Sequence, residues 1–167
     1  MELPVRKECM MEIQRIDQKS RKKIDTFILQ RWFTLEMVVH GECVNLGAAS
    51  GWFVNEGGEI VGLITYRIVD NRMEILSLDS SKEKGGIGTM LLNEAINEAK
   101  CIGCSGIFLV TTNDNLYALK FYQKRGFDMV KLYRNAVEES RKLKPQIPSI
   151  GMDGIPIKHE IELELMF

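Results

Sequence analysis

A glycine-rich turn between an apolar strand and an amphipathic helix constrains this chain more than any other stretch. Arg72–Asp79 has the length and the apolar side chains of a buried strand, and from Thr89 to Cys101 apolar residues recur at helical spacing. Three glycines lie between these elements: Gly85, Gly86 and Gly88. The first turn of a helix leaves backbone N–H groups unpaired and carries a partial positive charge, so a turn without side chains can bind a phosphate there. The sequence therefore predicts a strand–turn–helix unit with a phosphate site at the turn.

Two common phosphate-binding loops do not fit this turn. A nucleotide-triphosphate loop needs a lysine directly after its last glycine, but Gly88 is followed by Thr89. A dinucleotide loop needs a third glycine where this chain has Leu91. A turn that only joins a strand to a helix stays open as an alternative.

A second stretch, residues 113–127, carries its own pattern. Asn115, Ala118 and Tyr122 lie three and then four residues apart, so they share one helix face. With Gly86-Ile87-Gly88, this stretch resembles the two signatures of the GNAT acetyltransferases, which are Gln/Arg-x-x-Gly-x-Gly/Ala and Asn-x-x-Ala-x-x-Phe/Leu-Tyr-x-x-x-Gly-Phe. The resemblance covers residues 60–127 well and the flanks loosely.

One residue of the turn departs from the family pattern. Glu83 stands where the family usually has Gln or Arg, and a carboxylate beside a pyrophosphate is unfavourable. Lys82 and Lys84 offset its charge, and backbone N–H groups supply most of the donors. We therefore expect the phosphate site to persist.

The resemblance implies an α+β fold, the GNAT fold, as a single domain over residues 1–167. Its central sheet is mixed, mostly antiparallel and six- to seven-stranded, with helices on both faces. The fourth and fifth strands, Arg72–Asp79 and Ile107–Thr112, are expected to splay apart and admit the cofactor. An extra helix and loop at about residues 134–158 precede the last strand, where they either cover the site or form a homodimer contact.

Composition narrows the classes of function. The chain has 167 residues and a net charge of −1, which gives no field to attract nucleic acid or an anionic membrane. No apolar run reaches the ~20 residues of a membrane span, and the N-terminus lacks a signal-peptide core, so we expect a cytoplasmic protein. Cys101 and Cys104 form a lone C-x-x-C pair without a nearby histidine, which favours reduced thiols and no metal site.

The resemblance implies acetyl-coenzyme A (acetyl-CoA) as cosubstrate. Backbone N–H groups from Lys84 to Thr89 are expected to bind the pyrophosphate, and the pantetheine arm is expected to pair with the strand edge Leu76–Asp79. The expected cofactor-binding residues are Leu76, Leu78, Asp79, Lys84, Gly85, Gly86, Ile87, Gly88, Thr89, Asn115, Ala118 and Tyr122.

The same resemblance implies three catalytic tasks. Tyr122 is expected to protonate the leaving thiolate, since a phenol keeps its proton at neutral pH, and the N–H of Leu78 is expected to stabilise the oxyanion. Glu74 is a candidate base acting through water, although a role as an ion-pair partner for Arg72 or a lysine is an equal alternative. Asp79 is a second candidate base, and free amine from solution also stays open.

Acceptor-binding residues are expected before the second strand of the sheet. The stretch from Phe33 to Gly51 contains apolar groups and many glycines, which favours an irregular loop, and Trp32, Phe33 and His40 are its candidate acceptor contacts. Near the C-terminus three glutamates alternate with apolar residues: Glu160, Glu162 and Glu164. We interpret them as the wet face of a strand, with an anionic patch for a cationic acceptor as the alternative.

The function that the resemblance implies is transfer of an acetyl group from acetyl-CoA to an amine by direct attack. The acceptor is a small-molecule amine, a peptide N-terminus or a lysine side chain. A non-catalytic acyl-CoA-binding module is the alternative function, and a dinucleotide oxidoreductase is a more distant one.

Overall fold

The computed structural model of the chain describes residues 11–81 and 85–167. The predicted phosphate contact at Lys84 and the departure at Glu83 lie outside these residues. The described helices are α1 (Arg21–Trp32), α2 (Ile87–Cys101), α3 (Leu116–Gln123) and α4 (Ala136–Leu143). The described strands are β1 (Glu12–Arg15), β2 (Glu36–Val39), β3 (Glu42–Asn45), β4 (Ser50–Glu56), β5 (Glu59–Val69), β6 (Arg72–Ser80), β7 (Gly106–Thr112), β8 (Asp128–Tyr133) and β9 (Glu160–Met166).

Seven strands form one mixed sheet in the order β1-β4-β5-β6-β7-β9-β8. Its neighbours pair antiparallel except β6 and β7, which are parallel and joined by a crossover through α2. The turn between β5 and β6 has positive φ at Asp70 and Asn71, and that between β4 and β5 has positive φ at Gly57 and Gly58. The predicted α+β fold with a mostly antiparallel sheet is confirmed.

The expected irregular loop from Phe33 to Gly51 is wrong in its middle part. β2 and β3 form a separate two-stranded hairpin. Its two-residue turn is His40-Gly41, with φ of 52° and 70°, the backbone that a tight hairpin requires. Val39 and Val44 are buried against α1, and this tertiary burial outweighs the weak local strand signal.

Helices cover both faces of the sheet because side chains alternate along its strands. Trp52 and Val54 of β4 join a core with buried residues of α2. Phe53, between them, joins a second core with Ile24 and Ile28 of α1. The sheet is therefore the middle layer between α1 on one side and α2 with α3 on the other.

The parallel ladder between β6 and β7 is short, and the two strands then part. Pairing runs from Arg72↔Gly106 to Ile75↔Leu109, whereas β6 continues to Ser80 and β7 to Thr112. β7 stays paired with β9 along its whole length, so the gap opens on its other side, towards β6. These are the strands predicted as fourth and fifth, and the predicted splay between them is confirmed.

The insertion before the last strand is a compact unit beside this gap. α4 begins it, and Arg141 of α4 donates hydrogen bonds to the carbonyls of Ile147, Pro148 and Ile157. The carboxylate of Asp114 accepts a bond from the N–H of Met152 at 3.2 Å. The loop is thereby held against the carboxyl end of β7.

Candidate active site

A cavity of about 830 Å³ occupies the gap between β6 and β7. Its walls come from the carboxyl ends of both strands, from α3, from the C-terminus of α1, from β2 and from the 144–157 loop. Ligands of open sheets with parallel strands bind at such carboxyl ends, where neighbouring strands separate. The cavity therefore joins residues that are far apart in the sequence.

The β6 wall of the cavity contains the predicted strand-edge residues Leu76, Leu78 and Asp79. The ladder with β5 pairs Thr65 with Ser77 and Tyr66 with Ile75, which leaves Leu76 as an extra residue, a β-bulge. The hydroxyls of Thr65 and Ser77 share a buried hydrogen bond of 2.6 Å beside it. A bulge bends its strand, and this one lies directly after Ile75, the last residue of β6 that pairs with β7.

The glycine turn forms the N-terminus of α2. Gly86 has φ of 70° in the left-handed region, and its carbonyl accepts from the N–H of Met90 at 2.9 Å. A Cβ at Gly86 would meet nothing within 4 Å, so this side of the turn is open, and Gly88 lines the cavity. The N–H groups of Ile87, Gly88 and Thr89 in the first helical turn have no intrahelical acceptor and can bind an anion.

Arg125 lies beside this turn, and the sequence pattern gave no reason to select it. Its guanidinium donates to Thr89 Oγ1 at 2.6 Å and to the carbonyl of Phe121 at 2.8 Å. It also stacks over the Phe121 ring, 3.6 Å from the centroid. A fixed positive charge thus adds to the helix dipole near the start of α2.

Tyr122 of α3 lines the cavity and is otherwise enclosed. Its ring packs edge-on against Phe121 and Phe127, and only 5% of the residue is exposed. Burial raises the pKa of Tyr122 well above the ordinary value; the charge of Asp79 raises it further, and the charge of Arg125 lowers it. The phenol therefore keeps its proton at neutral pH.

Asn115 and Ala118 lie on the same face of α3 and also line the cavity. Asn115 caps the helix, with its Oδ1 accepting from the N–H of Ala118 at 3.1 Å. The structure brings these two residues together with Tyr122, as the helical spacing predicted.

Asp79 is the acidic side chain of the β6 wall. Its Oδ2 accepts a hydrogen bond of 3.0 Å from the indole N–H of Trp32, the last residue of α1. Burial raises the pKa of Asp79, while the Trp32 bond and the charge of Arg31 lower it. Asp79 and Tyr122 both line the cavity, so the two groups face the same space.

Glu74 is not brought together with Asp79 and Tyr122. It lies on β6 where that strand is still paired with β7, opposite Phe108, and does not line the cavity. Only 2% of it is exposed, and its Oε2 accepts from Arg67 Nε at 2.6 Å. Glu74 therefore takes part in an ion pair, which was the alternative to a role as base, and its partner is Arg67 and not Arg72.

The three predicted acceptor contacts have different positions. Trp32 lines the cavity. Phe33 is 88% exposed, with φ of 60° at the end of α1, and lies outside the cavity wall. The ring of His40 packs edge-on against Tyr133, with ring centroids 4.5 Å apart. The backbone N–H of His40 donates to the carboxylate of Glu160, a residue of the cavity wall.

The interpretation of the β9 glutamates as a wet face is wrong for two of them. Glu160 and Glu162 are 4% and 6% exposed, because β2, β8 and α4 provide neighbours on that face. An alternating pattern indicates which residues share a face, but not whether another segment covers it. The same limit hid three apolar residues of the insertion that line the cavity: Ile147, Met152 and Ile157.

Neither a metal site nor a membrane-spanning helix is found in the described residues. No group of three or more His, Cys, Asp or Glu side chains that could hold a metal ion occurs in residues 11–81 and 85–167. In the same part of the chain, no helix is both long enough and apolar enough to cross a bilayer.

A seven-stranded mixed sheet that parts beside a glycine turn, with a tyrosine helix facing the gap, matches the fold that the sequence resemblance implied. A sequence model described as the Acetyltransferase (GNAT) family matches residues 10–127. The chain belongs to this acetyltransferase family.

Relatives and solved structures agree with that assignment. An uncharacterized Bacillus subtilis (strain 168) protein, YdhI, is 42% identical over 153 residues, covering 91% of this chain and 96% of the relative. An IAA acetyltransferase from Bacillus cereus ATCC 14579 shares the fold with a TM-score of 0.68 and 22% identity, over 95% of this chain and all of that one. A Bacillus subtilis acetyltransferase in complex with CoA has a TM-score of 0.68 and 19% identity, over 95% of this chain and 99% of that one.

Proposed function

We propose that this chain is an N-acetyltransferase that moves the acetyl group of acetyl-CoA to an amine by direct attack. The observation that carries the proposal is the cavity between the parted strands β6 and β7. One wall of it is an unpaired strand edge, Gly88 lies on it near the start of α2, and a protonated phenol faces it from α3. The helix start suits a diphosphate, the strand edge suits an amide-bearing arm, and the phenol suits the sulfur of a thioester.

The cofactor is bound mainly by backbone groups in this proposal. The pyrophosphate accepts hydrogen bonds from the N–H groups of residues 85–89, and Arg125 adds positive charge there. The pantetheine amides pair with the β6 edge at Leu76–Asp79, as an added strand would. A relative of the same fold, the Bacillus subtilis acetyltransferase, was solved with CoA bound.

The reaction forms one C–N bond and breaks one C–S bond. The amine nitrogen attacks the thioester carbonyl carbon, and the N–H of Leu78 stabilises the negative charge that develops on the carbonyl oxygen. The C–S bond then breaks, and its electron pair leaves on sulfur. Tyr122 donates its proton to that thiolate, because burial keeps the phenol protonated at neutral pH. The nitrogen, which is positively charged after the attack, loses a proton to solvent, and the phenolate of Tyr122 regains a proton from solvent.

The attacking amine must first lose a proton, and we assign this step to Asp79. Asp79 lies on the cavity wall next to Tyr122, and burial raises its pKa towards that of a useful base. Glu74 is separated from the cavity by its position in the paired part of β6 and is bonded to Arg67. Amine that arrives uncharged from solution needs no base.

The test is titration calorimetry with acetyl-CoA, followed by measurement of thiol release with a panel of primary amines. We expect binding of the cofactor and turnover with at least one amine. Binding without turnover on any amine, peptide N-terminus or lysine would favour the alternative, a non-catalytic acyl-CoA-binding module. Absence of binding would refute both functions.

A further inference from the structure

A row of three glutamates on β9 is neutralised unevenly. Arg72 Nη1 lies 3.2 Å from Glu162 and 2.7 Å from Glu164, and the Tyr133 hydroxyl donates to Glu162 at 2.5 Å. Glu160 has no lysine or arginine within 4 Å in the described part of the chain. Its contacts there are Ser140 Oγ at 3.4 Å, the N–H of His40 at 3.3 Å and the His40 ring nitrogen Nδ1 at 3.7 Å.

Glu160 is nevertheless the most enclosed of the three. It is 4% exposed, and it lines the cavity. A carboxylate that is removed from water without a lysine or arginine beside it lacks a permanent counter-charge, and buried charges in proteins are normally paired. Because Glu160 borders the cavity, a cation bound in the cavity can supply the missing charge.

The ladders show where Glu160 lies relative to the thioester. Leu78 and Thr112 each lie three residues beyond the last pair of the parallel ladder, Ile75↔Leu109, and Glu160 is paired with Thr112. The bulge at Leu76 reduces the advance of β6 by about one residue, so Glu160 lies near the height of Leu78, within about one residue, but two strands away. Two strand spacings are about 10 Å, and the parting of the strands adds to this. An amine that attacks a thioester beside Leu78 is thus too far away to contact Glu160.

From this separation we propose that the acceptor is a linear diamine or polyamine, and that Glu160 binds the ammonium group that is not acetylated. This inference rests on the proposed N-acetyltransferase function. The reacting nitrogen lies beside Asp79 on the near wall, and the second charge lies beside Glu160 on the far wall. The wall of the same cavity includes Met37, Ile147 and Ile157, whose apolar side chains suit a methylene chain.

Lys144 is the basic side chain of the cavity wall in the described residues. Its ammonium group donates to the carbonyl of Glu36 at 3.2 Å and forms no ion pair with Glu160. An amine that carries a carboxylate for Lys144 is the competing acceptor, and the experiment includes lysine as its representative.

The experiment compares cadaverine with pentylamine, which has the same chain length and one charge fewer, and with lysine. kcat/KM is measured by thiol release for the unmodified chain, for Glu160→Gln, and for Glu164→Gln. The amide that Glu160→Gln introduces keeps an oxygen for the His40 N–H, and Glu164 is on the same strand face but outside the cavity wall. We expect the unmodified chain to prefer cadaverine over pentylamine by about tenfold or more, since a hydrogen-bonded ion pair is lost with pentylamine. Glu160→Gln should remove that preference, and Glu164→Gln should leave it unchanged.

Three results would overturn the inference. The first is equal kcat/KM for cadaverine and pentylamine in the unmodified chain. The second is a preference for cadaverine that persists in Glu160→Gln. The third is faster turnover of lysine than of cadaverine. If monoamines are turned over, any of these three results would refute the diamine site without refuting the proposed N-acetyltransferase function. If no amine reacts, cadaverine is titrated calorimetrically into the CoA-saturated chain. Binding that Glu160→Gln weakens would support the diamine site, and absence of binding would refute it.

Discussion

Replacement of Tyr122 by phenylalanine tests the proposed proton donor directly. The hydroxyl of Tyr122 forms no hydrogen bond to any other residue of the described chain, while the ring contacts Phe121 and Phe127. The substitution therefore removes the hydroxyl group that would donate the proton and keeps the ring contacts with Phe121 and Phe127. Because no internal hydrogen bond is lost, the free energy of unfolding should change by no more than about 1 kcal/mol.

The expected kinetic effect is much larger than the structural one. A positioned general acid contributes about 10²–10⁴-fold to a rate. We therefore expect Tyr122→Phe to lower kcat by at least about 100-fold, which is about 2.7 kcal/mol of transition-state stabilisation. The dissociation constant of acetyl-CoA should change by less than about threefold, since the backbone of the turn and of β6 supplies most of its contacts.

The assay is thiol release at saturating acceptor, with cofactor affinity measured by calorimetry. The matched control is Tyr66→Phe, which removes a hydroxyl from another buried tyrosine, one that is bonded to Arg15 and lies outside the cavity wall. Equal kcat for the unmodified chain and Tyr122→Phe would refute the role of Tyr122. A similar fall for both variants would attribute the effect to altered packing.

Three further predictions address the turn and the two acidic candidates. Gly86→Asp should abolish detectable CoA binding in calorimetry, because it adds a carboxylate at the phosphate site; Gly103→Asp, with the same left-handed strain at φ of 82° beyond the end of α2, should bind normally. Asp79→Asn should lower kcat by at least about tenfold and raise the urea midpoint at pH 7. Burial raises the pKa of Asp79, so protonated Asp79 contributes to the stability of the folded chain below about pH 3.9, and this contribution is lost as pH rises through the folded-state pKa. The increase in urea midpoint that Asp79→Asn causes should therefore become smaller towards pH 4. An increase that does not change with pH would contradict the raised pKa of Asp79. Glu74→Gln should lower the free energy of unfolding by about 1.5–3 kcal/mol through loss of its charged bond to Arg67, with kcat within about twofold, and a tenfold fall in kcat would restore Glu74 as the base.

The positions of the turn, the strand before it and the α3 face could be predicted from sequence because their signals are local. A left-handed glycine before a helix, an apolar strand before that glycine, and a helix face bearing Asn115, Ala118 and Tyr122 are each specified within about ten residues. The splay followed from the family resemblance, and the bulge at Leu76 was not foreseen. A bulge depends on the register with β5, which alternation along β6 alone does not reveal.

The roles of the acidic residues could not be ranked from sequence for a related reason. Glu74 and Asp79 lie on one strand, five residues apart, and both precede the turn. What separates them is where the ladder with β7 stops, between Ile75 and Leu76. Glu74 lies in the paired part with Arg67 beside it, and Asp79 lies in the open part with Trp32 beside it.

The acceptor half of the site is assembled from segments with weak patterns of their own. The end of α1, the hairpin β2–β3, the 144–157 loop and the start of β9 meet only through long-range packing. Glu160 illustrates the consequence, because its alternation with apolar residues fits a solvated strand face until α4 and the His40 turn cover that face. On this covered face, Arg72 forms ion pairs with Glu162 and Glu164 but not with Glu160. The position of Arg72 therefore determines which of the three carboxylates has no arginine beside it. In the acceptor site proposed above, specificity would therefore depend on the reach of one arginine across the sheet, a property of the register and not of any short motif.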